Sequence, residues 1–385
     1  MHAIPSAIAA LLLFSLLPAV SAGGAKGIPL LLCVAAVLAL RPLRVVQVFE
    51  KAAIPIWLLL LFTSWAITTS FWSVQPGQQQ AMKLAILVPL GLMFAVAAAA
   101  EPTRRLTRAA GIAAFAILFV LVLVEALWDL PINRAANPDM PPSEVIRNVN
   151  RAAAVLLALT FPTAAALIAD DRPNLARAIF AAGALIAIPL DLWANLLAFG
   201  IGLVAFGIAF RAPRFAVMSV STVLAAWLVA APFATPLLIS NQRIVDALPT
   251  SWAHRAAIWE YVCAKIMEAP LLGRGLDSAR AVTDRITFEG VDMRAVPLHP
   301  HSGSLQIWYE LGAVGAGLGA LTLLVGGWAV AHFFKNNRIG AAAAAGTLAS
   351  LGIIANLSFG FWQEWWTATM FIAAALVGAL TLRRA

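Results

Sequence analysis

Between Leu84 and Ala100 the chain runs LAILVPLGLMFAVAAAA, without one polar side chain. A stretch like this belongs in hydrocarbon, where no water can satisfy the backbone. Each N–H and C=O must then bond within the chain, so only helices and closed barrels can cross a bilayer, at about 20 apolar residues per helix. Barrel strands are short segments of alternating polarity, and this run does not alternate. Comparable runs recur at about 4–20, 28–40, 53–71, 83–100, 110–128, 151–169, 176–190, 193–210, 214–234, 306–333, 339–358 and 364–382. The expected fold is all-α: a polytopic integral membrane protein of about twelve transmembrane helices, with residues 1–385 forming a single transmembrane domain. A charged fraction of 11% against a globular norm of about 25%, and a mean hydropathy of +0.88, agree with that reading. Ser21-Ala22-Gly23 after the first run could pass for a signal-peptide cleavage region. No Lys or Arg precedes that run, so it reads as the first transmembrane helix.

The net charge of +8 would suggest nucleic acid in a soluble chain. Here the basic residues stand in short turns between apolar runs, and topology explains them better. With a cytoplasmic N-terminus, the even-numbered connections (41–51, 101–108, 170–177, 211–214 and 335–338) and the Arg383-Arg384 tail hold fourteen Lys/Arg. The short odd-numbered ones hold five. Retention of positive charge in the cytoplasm orients such chains. Both termini are therefore expected to be cytoplasmic, with membrane lipids rather than nucleic acid as surroundings. Cys33 and Cys263 offer neither a disulfide framework nor metal spacing.

On this topology two segments lie outside the cytoplasm. The larger, 237–305 between helices 9 and 10, opens the long polar stretch Leu237 to Glu310, which carries seven Lys/Arg and three of the five His. Within it a helix capped by Thr250 or Ser251 should run to about Glu268 and stop before Pro270. Trp252, Arg255, Trp259, Val262 and Ile266 then share one face, and Arg255 interrupts an apolar stripe. Its guanidinium must pair with an anion or lay its stem over Trp259 at the membrane surface. Pro270 to Gly275, PLLGRG, reads as a tight glycine turn, and without a following Lys-Ser/Thr it gives no support for nucleotide binding. His299 and His301, in PLHPHS, stand just before the next transmembrane helix. Neutral imidazole can accept a hydroxyl proton, so these are candidate general bases. Metal ligation by the pair would need a third ligand, and none lies nearby at ligand spacing. Glu268, Asp277 and Glu289 are loop carboxylates whose first reading is solvation. The smaller segment, 129–151, is rich in Pro and Asn and reads as a loop. Arg147 and Arg151 close it, four apart, as an interfacial anchor pair or as donors to phosphate oxygens.

HPHSGSLQIWYELGAVGAGL at 299–318, HRAAIWEYVCAKIMEAPLLGRG at 254–275, NRAAAVLLALTFP at 150–162 and WQEWWTATM at 362–370 resemble, in the same order, segments of the O-antigen ligase and polymerase superfamily. The resemblance implies an inverting, metal-independent glycosyltransferase with no cofactor, at the periplasmic face of the bacterial inner membrane. Its donor would be an undecaprenyl-diphosphate-linked glycan. The acceptor would be a sugar hydroxyl of lipid A–core in a ligase, or another repeat unit in a polymerase. By motif position, His301 would be the base, and Arg255 and Arg151 would hold the diphosphate, with Arg147 as companion. His299, Ser302 and Trp259 would support the site; Ser302 stands where Asn is frequent. A transporter or flippase is the alternative from another class, but it would place ionisable groups near the midplane. The candidates here are few: Glu125 and Asp191 with Asn195.

Overall fold

The computed structural model describes residues 4–40, 54–74, 77–101, 103–187, 190, 192–241, 243, 245 and 247–381. Helices stand at every place where an apolar run occurs. They are α1 (Ile4–Ala22), α2 (Ile28–Ala39), α3 (Ile54–Thr69), α4 (Gly77–Ala99), α5 (Thr103–Leu127), α6 (Pro131–Ala136), α7 (Pro142–Ala169), α8 (Pro173–Ala187), α9 (Trp193–Arg211), α10 (Pro213–Ile239), α11 (Thr250–Glu268), α12 (Gly303–Phe333), α13 (Arg338–Leu357) and α14 (Glu364–Gly378). Eight of these are long and apolar enough to cross a bilayer: α1, α4, α5, α7, α9, α10, α12 and α13. Shorter apolar helices lie at Ile28–Ala39, Ile54–Thr69 and Pro173–Ile186. The chain is thus an all-α, multi-pass membrane protein, with one small hairpin, β1 (Arg285–Phe288) and β2 (Val291–Arg294), outside the helices.

Helix α7 is the centre of the bundle, because its side chains from Ala152 to Leu167 are buried on every side. A helix apolar all round has no polar face to turn outward. Small residues let the neighbours close in: a Cβ on Gly202 of α9 would stand 2.5 Å from Phe161 Cζ, and one on Gly346 of α13 2.7 Å from Phe161 Cδ1. On the periphery Leu30, Val223, Phe215 and Trp193 are exposed, an apolar surface that a bilayer covers.

The connections sort to two ends. At one end Arg108 pairs with Asp170 at 3.1 Å, Arg104 donates to the Thr381 hydroxyl, and the Asn337 amide donates to the Leu380 carbonyl. At the other, the Asn133 amide donates to the Ala22 carbonyl, and Ser73 Oγ to the Leu276 carbonyl. Residues 41–51, Asp191 and Arg383-Arg384 lie outside the described residues.

Two expectations change. The segment 129–151 is mostly helical, because Pro131 and Pro142 each stand at a first helical position, where a missing N–H costs nothing. Arg147 and Arg151 consequently lie inside α7. The large segment is shorter than expected, since α10 is helical to Ile239 and α12 begins at Gly303.

Candidate functional site

The site is built from α11, the turn before α12 and the end of α13. Helix α11 spans the expected residues, but Pro249 occupies its N-cap and Thr250 is already helical, so neither Thr250 nor Ser251 caps it. Val262 and Ile266 are fully buried and fix the helix against the bundle. Trp259 Nε1 donates to the Pro300 carbonyl at 2.8 Å, tying the helix to the histidine turn. Arg255 follows on the same face, and its guanidinium lies 5.5 Å from the ring of Trp252, not Trp259. Its Nη1 is buried without a hydrogen-bond partner, as is Nε2 of His254 beside it. A guanidinium N–H left unpaired in a buried place is costly, so this corner is built to receive an acceptor, best an anion.

His301 is held in two ways. Its backbone is left-handed, φ +55°, and its Nδ1 lies 2.7 Å from the Ser358 carbonyl. A carbonyl can only accept, so Nδ1 carries the proton and Nε2 keeps its lone pair. Burial, then the charge of Arg255, lowers the His301 pKa to about 4, so at neutral pH the imidazole is uncharged. The His301 N–H donates to His299 Nδ1 at 3.2 Å, and the two rings are 4.3 Å apart. His299 is buried, and burial, followed by the charges of His301, Arg280 and Arg255, holds its pKa well below the ordinary value. The same two causes as for His301, burial and Arg255, lower His254. Ser302 caps α12, its Oγ accepting from the Leu305 N–H at 3.4 Å. The next turn is tied to α13 by the Ser304 N–H donating to Asn356 Oδ1.

Behind this turn Glu310 is a hub. Its fully buried carboxylate accepts from the Asp277 N–H at 2.7 Å, the Ala279 N–H, Gln306 Nε2 and Trp362 Nε1 at 2.6 Å. It therefore anchors the 277–281 turn, which presents Arg280, to α12. The PLLGRG turn packs on the same helix where Gly312 (φ +66°, ψ −167°) breaks the helical path. There the Ala313 N–H donates to the Pro270 carbonyl, while those of Arg274 and Gly275 donate to Tyr309 and Glu310.

Arg151 and Arg147 share a face of α7, yet their bonds run elsewhere. Arg147 pairs with Glu144 at 2.9 Å on the surface. Arg151 Nη1 donates to Asn148 Oδ1 at 3.0 Å, Asn148 donates to Asn133, and Asn133 donates to the buried carboxylate of Glu125. These bonds reach the end of α1, not the histidine turn. Glu125, an intramembrane candidate for transport, is thus occupied in holding the 129–151 segment. The structure brings together His301, His299, Ser302, Trp259 and Arg255. Sequence reasoning missed His254, Arg280 and the Ser358 carbonyl. Position within the polar stretch was the only signal for the first two, and a backbone oxygen leaves none. Glu268 is spent on Lys265 and Arg274, Asp277 on Arg280, and Glu289 forms the hairpin turn.

Fold and site together define a multi-pass membrane protein with a basic, histidine-bearing site at one end of its bundle. The family model described as O-antigen ligase matches residues 180–320. Curated relatives bear the name "Putative polysaccharide ligase". One from Rickettsia conorii is 25% identical over 337 residues, covering 84% of this chain and 80% of the relative. One from Rickettsia bellii is 31% identical over 189 residues, 46% of this chain and 45% of the relative. One from Rickettsia typhi is 35% identical over 129 residues, 31% of this chain and 30% of the relative. No solved structure matches. Over residues 180–320 the chain is similar to the O-antigen ligase family, and the curated polysaccharide ligases support the same superfamily.

Proposed function

We propose that the protein transfers a glycan from undecaprenyl diphosphate to a sugar hydroxyl of lipid A–core at the periplasmic face of the inner membrane. The observation that carries the reading is the pairing of an unpartnered, buried Arg255 Nη1 with a neutral His301 whose Nε2 is left as an acceptor. One group suits an anionic leaving group and the other a hydroxyl proton. In the step, the acceptor oxygen attacks the anomeric carbon from the face opposite the diphosphate. His301 Nε2 takes the hydroxyl proton, and the bond from carbon to diphosphate oxygen breaks with inversion. Undecaprenyl diphosphate departs with the electron pair, its charge met by Arg255, and His301 then returns its proton to water. An empty site keeps His301 weakly basic through the charge of Arg255. A diphosphate bound to Arg255 offsets that charge and raises the basicity of His301, so donor binding prepares the base.

A cavity of about 390 Å³ lies beside the turn, lined by Trp252, Trp259, Ser302, Leu305 and side chains of α10 and α13. It is almost wholly apolar and suits the first isoprene units of the donor. Arg151, oriented by Asn148, is assigned to the diphosphate as well. Arg147 is already neutralised by Glu144 and takes the lesser part.

The test is a strain lacking the gene, complemented with wild type or His301→Ala, with lipopolysaccharide and lipid-linked glycan scored together. Ligation is supported if wild type restores capped lipopolysaccharide while the variant, at equal membrane level, accumulates long lipid-linked chains. A deletion that leaves only single-repeat glycan identifies a repeat-unit polymerase. Capping by His301→Ala overturns the base assignment.

A further inference from the structure

A second cavity, of about 290 Å³, opens on the other side of α11 and is lined by Tyr261, Lys265, Arg274, Ser278, Asp284 and Tyr309 among others. At 100° per residue, Tyr261 and Lys265 project from α11 nearly opposite to Trp252 and Trp259, so this cavity and the apolar one flank the helix. Its polar groups are incompletely used. Tyr261 donates to Asp284 Oδ2 at 2.7 Å, and Lys265 and Arg274 pair with Glu268 at the rim. The Arg274 guanidinium lies 5.5 Å from the Tyr309 ring. Arg274 Nε and Ser278 Oγ are buried with no partner, Ser278 being 2% exposed.

The lining sets Lys265 and Arg274 against Asp284, and Glu268 at the rim pairs with both cations, so charge is balanced over the cavity and its mouth together. A bound anion would confront Asp284, and a bound cation would confront Lys265 and Arg274. What the cavity lacks is an uncharged molecule whose groups both donate and accept. Each hydroxyl of a sugar does so. The volume lies at the lower end of small-molecule sites, about 300–1,000 Å³, which suits one sugar residue rather than a chain.

The cavity is coupled to the histidine turn by rigid parts. Tyr309 stands six residues beyond Gly303 on α12, roughly 9 Å along the axis. Ser278 belongs to the turn that Glu310 anchors and that presents Arg280. We propose that this cavity is a saccharide subsite that holds one uncharged sugar residue of the acceptor beside the histidine site. That it binds sugar is independent of the transferase reading; that the sugar is the acceptor's rests on it.

Saturation-transfer NMR on the full-length protein in nanodiscs tests the subsite. The probes are the methyl glycosides of glucose, galactose, mannose and N-acetylglucosamine, with glucuronic acid as the charged counterpart. At least one glycoside is expected to receive saturation from wild type and from His301→Ala alike. Binding is expected to weaken about fivefold in Ser278→Ala and in Tyr261→Phe, the size of one lost neutral hydrogen bond. Absence of transfer to all four glycosides, equal binding in both cavity variants, loss of binding in His301→Ala, or equal binding of glucuronic acid would each overturn the proposal. In a transfer assay the cavity variants should raise acceptor KM with donor KM and kcat retained. Glycoside binding that obeys the first arm in a protein with no transfer activity sustains the subsite and refutes the transferase reading instead.

Discussion

Gly312→Ala should open the PLLGRG segment that packs on α12 without touching His301 or Arg255. At φ +66° and ψ −167°, Gly312 occupies a region essentially restricted to glycine. A Cβ there would stand 2.2 Å from the Leu271 carbonyl oxygen and 2.6 Å from Gly273 N, both backbone atoms that cannot rotate aside. The chain can keep the turn and bear strain of about 1–3 kcal/mol plus the overlap. Or it can release PLLGRG and lose the four backbone bonds made by the N–H groups of Arg274, Gly275, Ala313 and Val314, at about 1 kcal/mol each. Either route costs about 3–4 kcal/mol, which raises the open population of the segment roughly 10²–10³-fold. The assay is limited trypsin digestion of the detergent-solubilised protein, reading cleavage after Arg274 and Arg280. Gly317→Ala is the control: nothing lies within 4 Å of a Cβ there, and alanine in a helix interior gains about 0.5–1 kcal/mol over glycine. Cleavage of Gly312→Ala at the wild-type rate, or of Gly317→Ala at the rate of Gly312→Ala, would refute the reasoning.

Other outcomes follow from the same geometry. The acid limb of kcat/KM for the donor, which reports the empty site, should stand at about 4, and Arg255→Gln should move it upward yet leave it below 6.5, because burial is the larger cause; a wild-type limb at 6.5 would contradict this. The depressed His301 pKa also means that local stability is complete above pH 6.5 and is lost as the pH falls from about 6.5 through 4, measurable by tryptophan fluorescence across that range. Asn148→Ala removes the acceptor of Arg151 and should raise donor KM about tenfold, and Asn148→Asp, which neutralises Arg151 as Glu144 does Arg147, should raise it as well; equal donor KM in all three proteins removes Arg151 from the diphosphate. Glu310→Gln puts an N–H₂ either where the Asp277 N–H and Trp362 Nε1 share an acceptor or where the Ala279 N–H and Gln306 Nε2 do, and should cost about 2–3 kcal/mol, read as a lower thermal midpoint by tryptophan fluorescence.

The helices were legible because apolar runs this long have few alternatives, and α11 because Trp252 to Ile266 repeat at threes and fours ahead of Pro270. The helical character of 131–136 and 142–150 was hidden, since proline and asparagine mark turns and helix starts alike. For the site, the types and order of His299, His301 and Arg255 stood in plain view. Their environment did not. The proton on His301 Nδ1 is set by a carbonyl 57 residues away, and no side chain reports a carbonyl. Glu310 stood only as the end of the polar stretch, because the Asp277 and Ala279 N–H groups it binds belong to the backbone of another segment. Arg274 and Ser278 become cavity groups only when PLLGRG folds back on Gly312.

On the proposed role of His301 as base, its left-handed backbone sets stability and activity against each other at one position. A non-glycine residue held there costs on the order of 1–3 kcal/mol, and glycine would relieve it. The sturdier protein would then be the one without an imidazole. Selection for thermal resistance alone would drift toward glycine or asparagine at 301, and selection for transfer would hold the strained histidine in place. A library sorted first for folding and then for transfer should split at this residue.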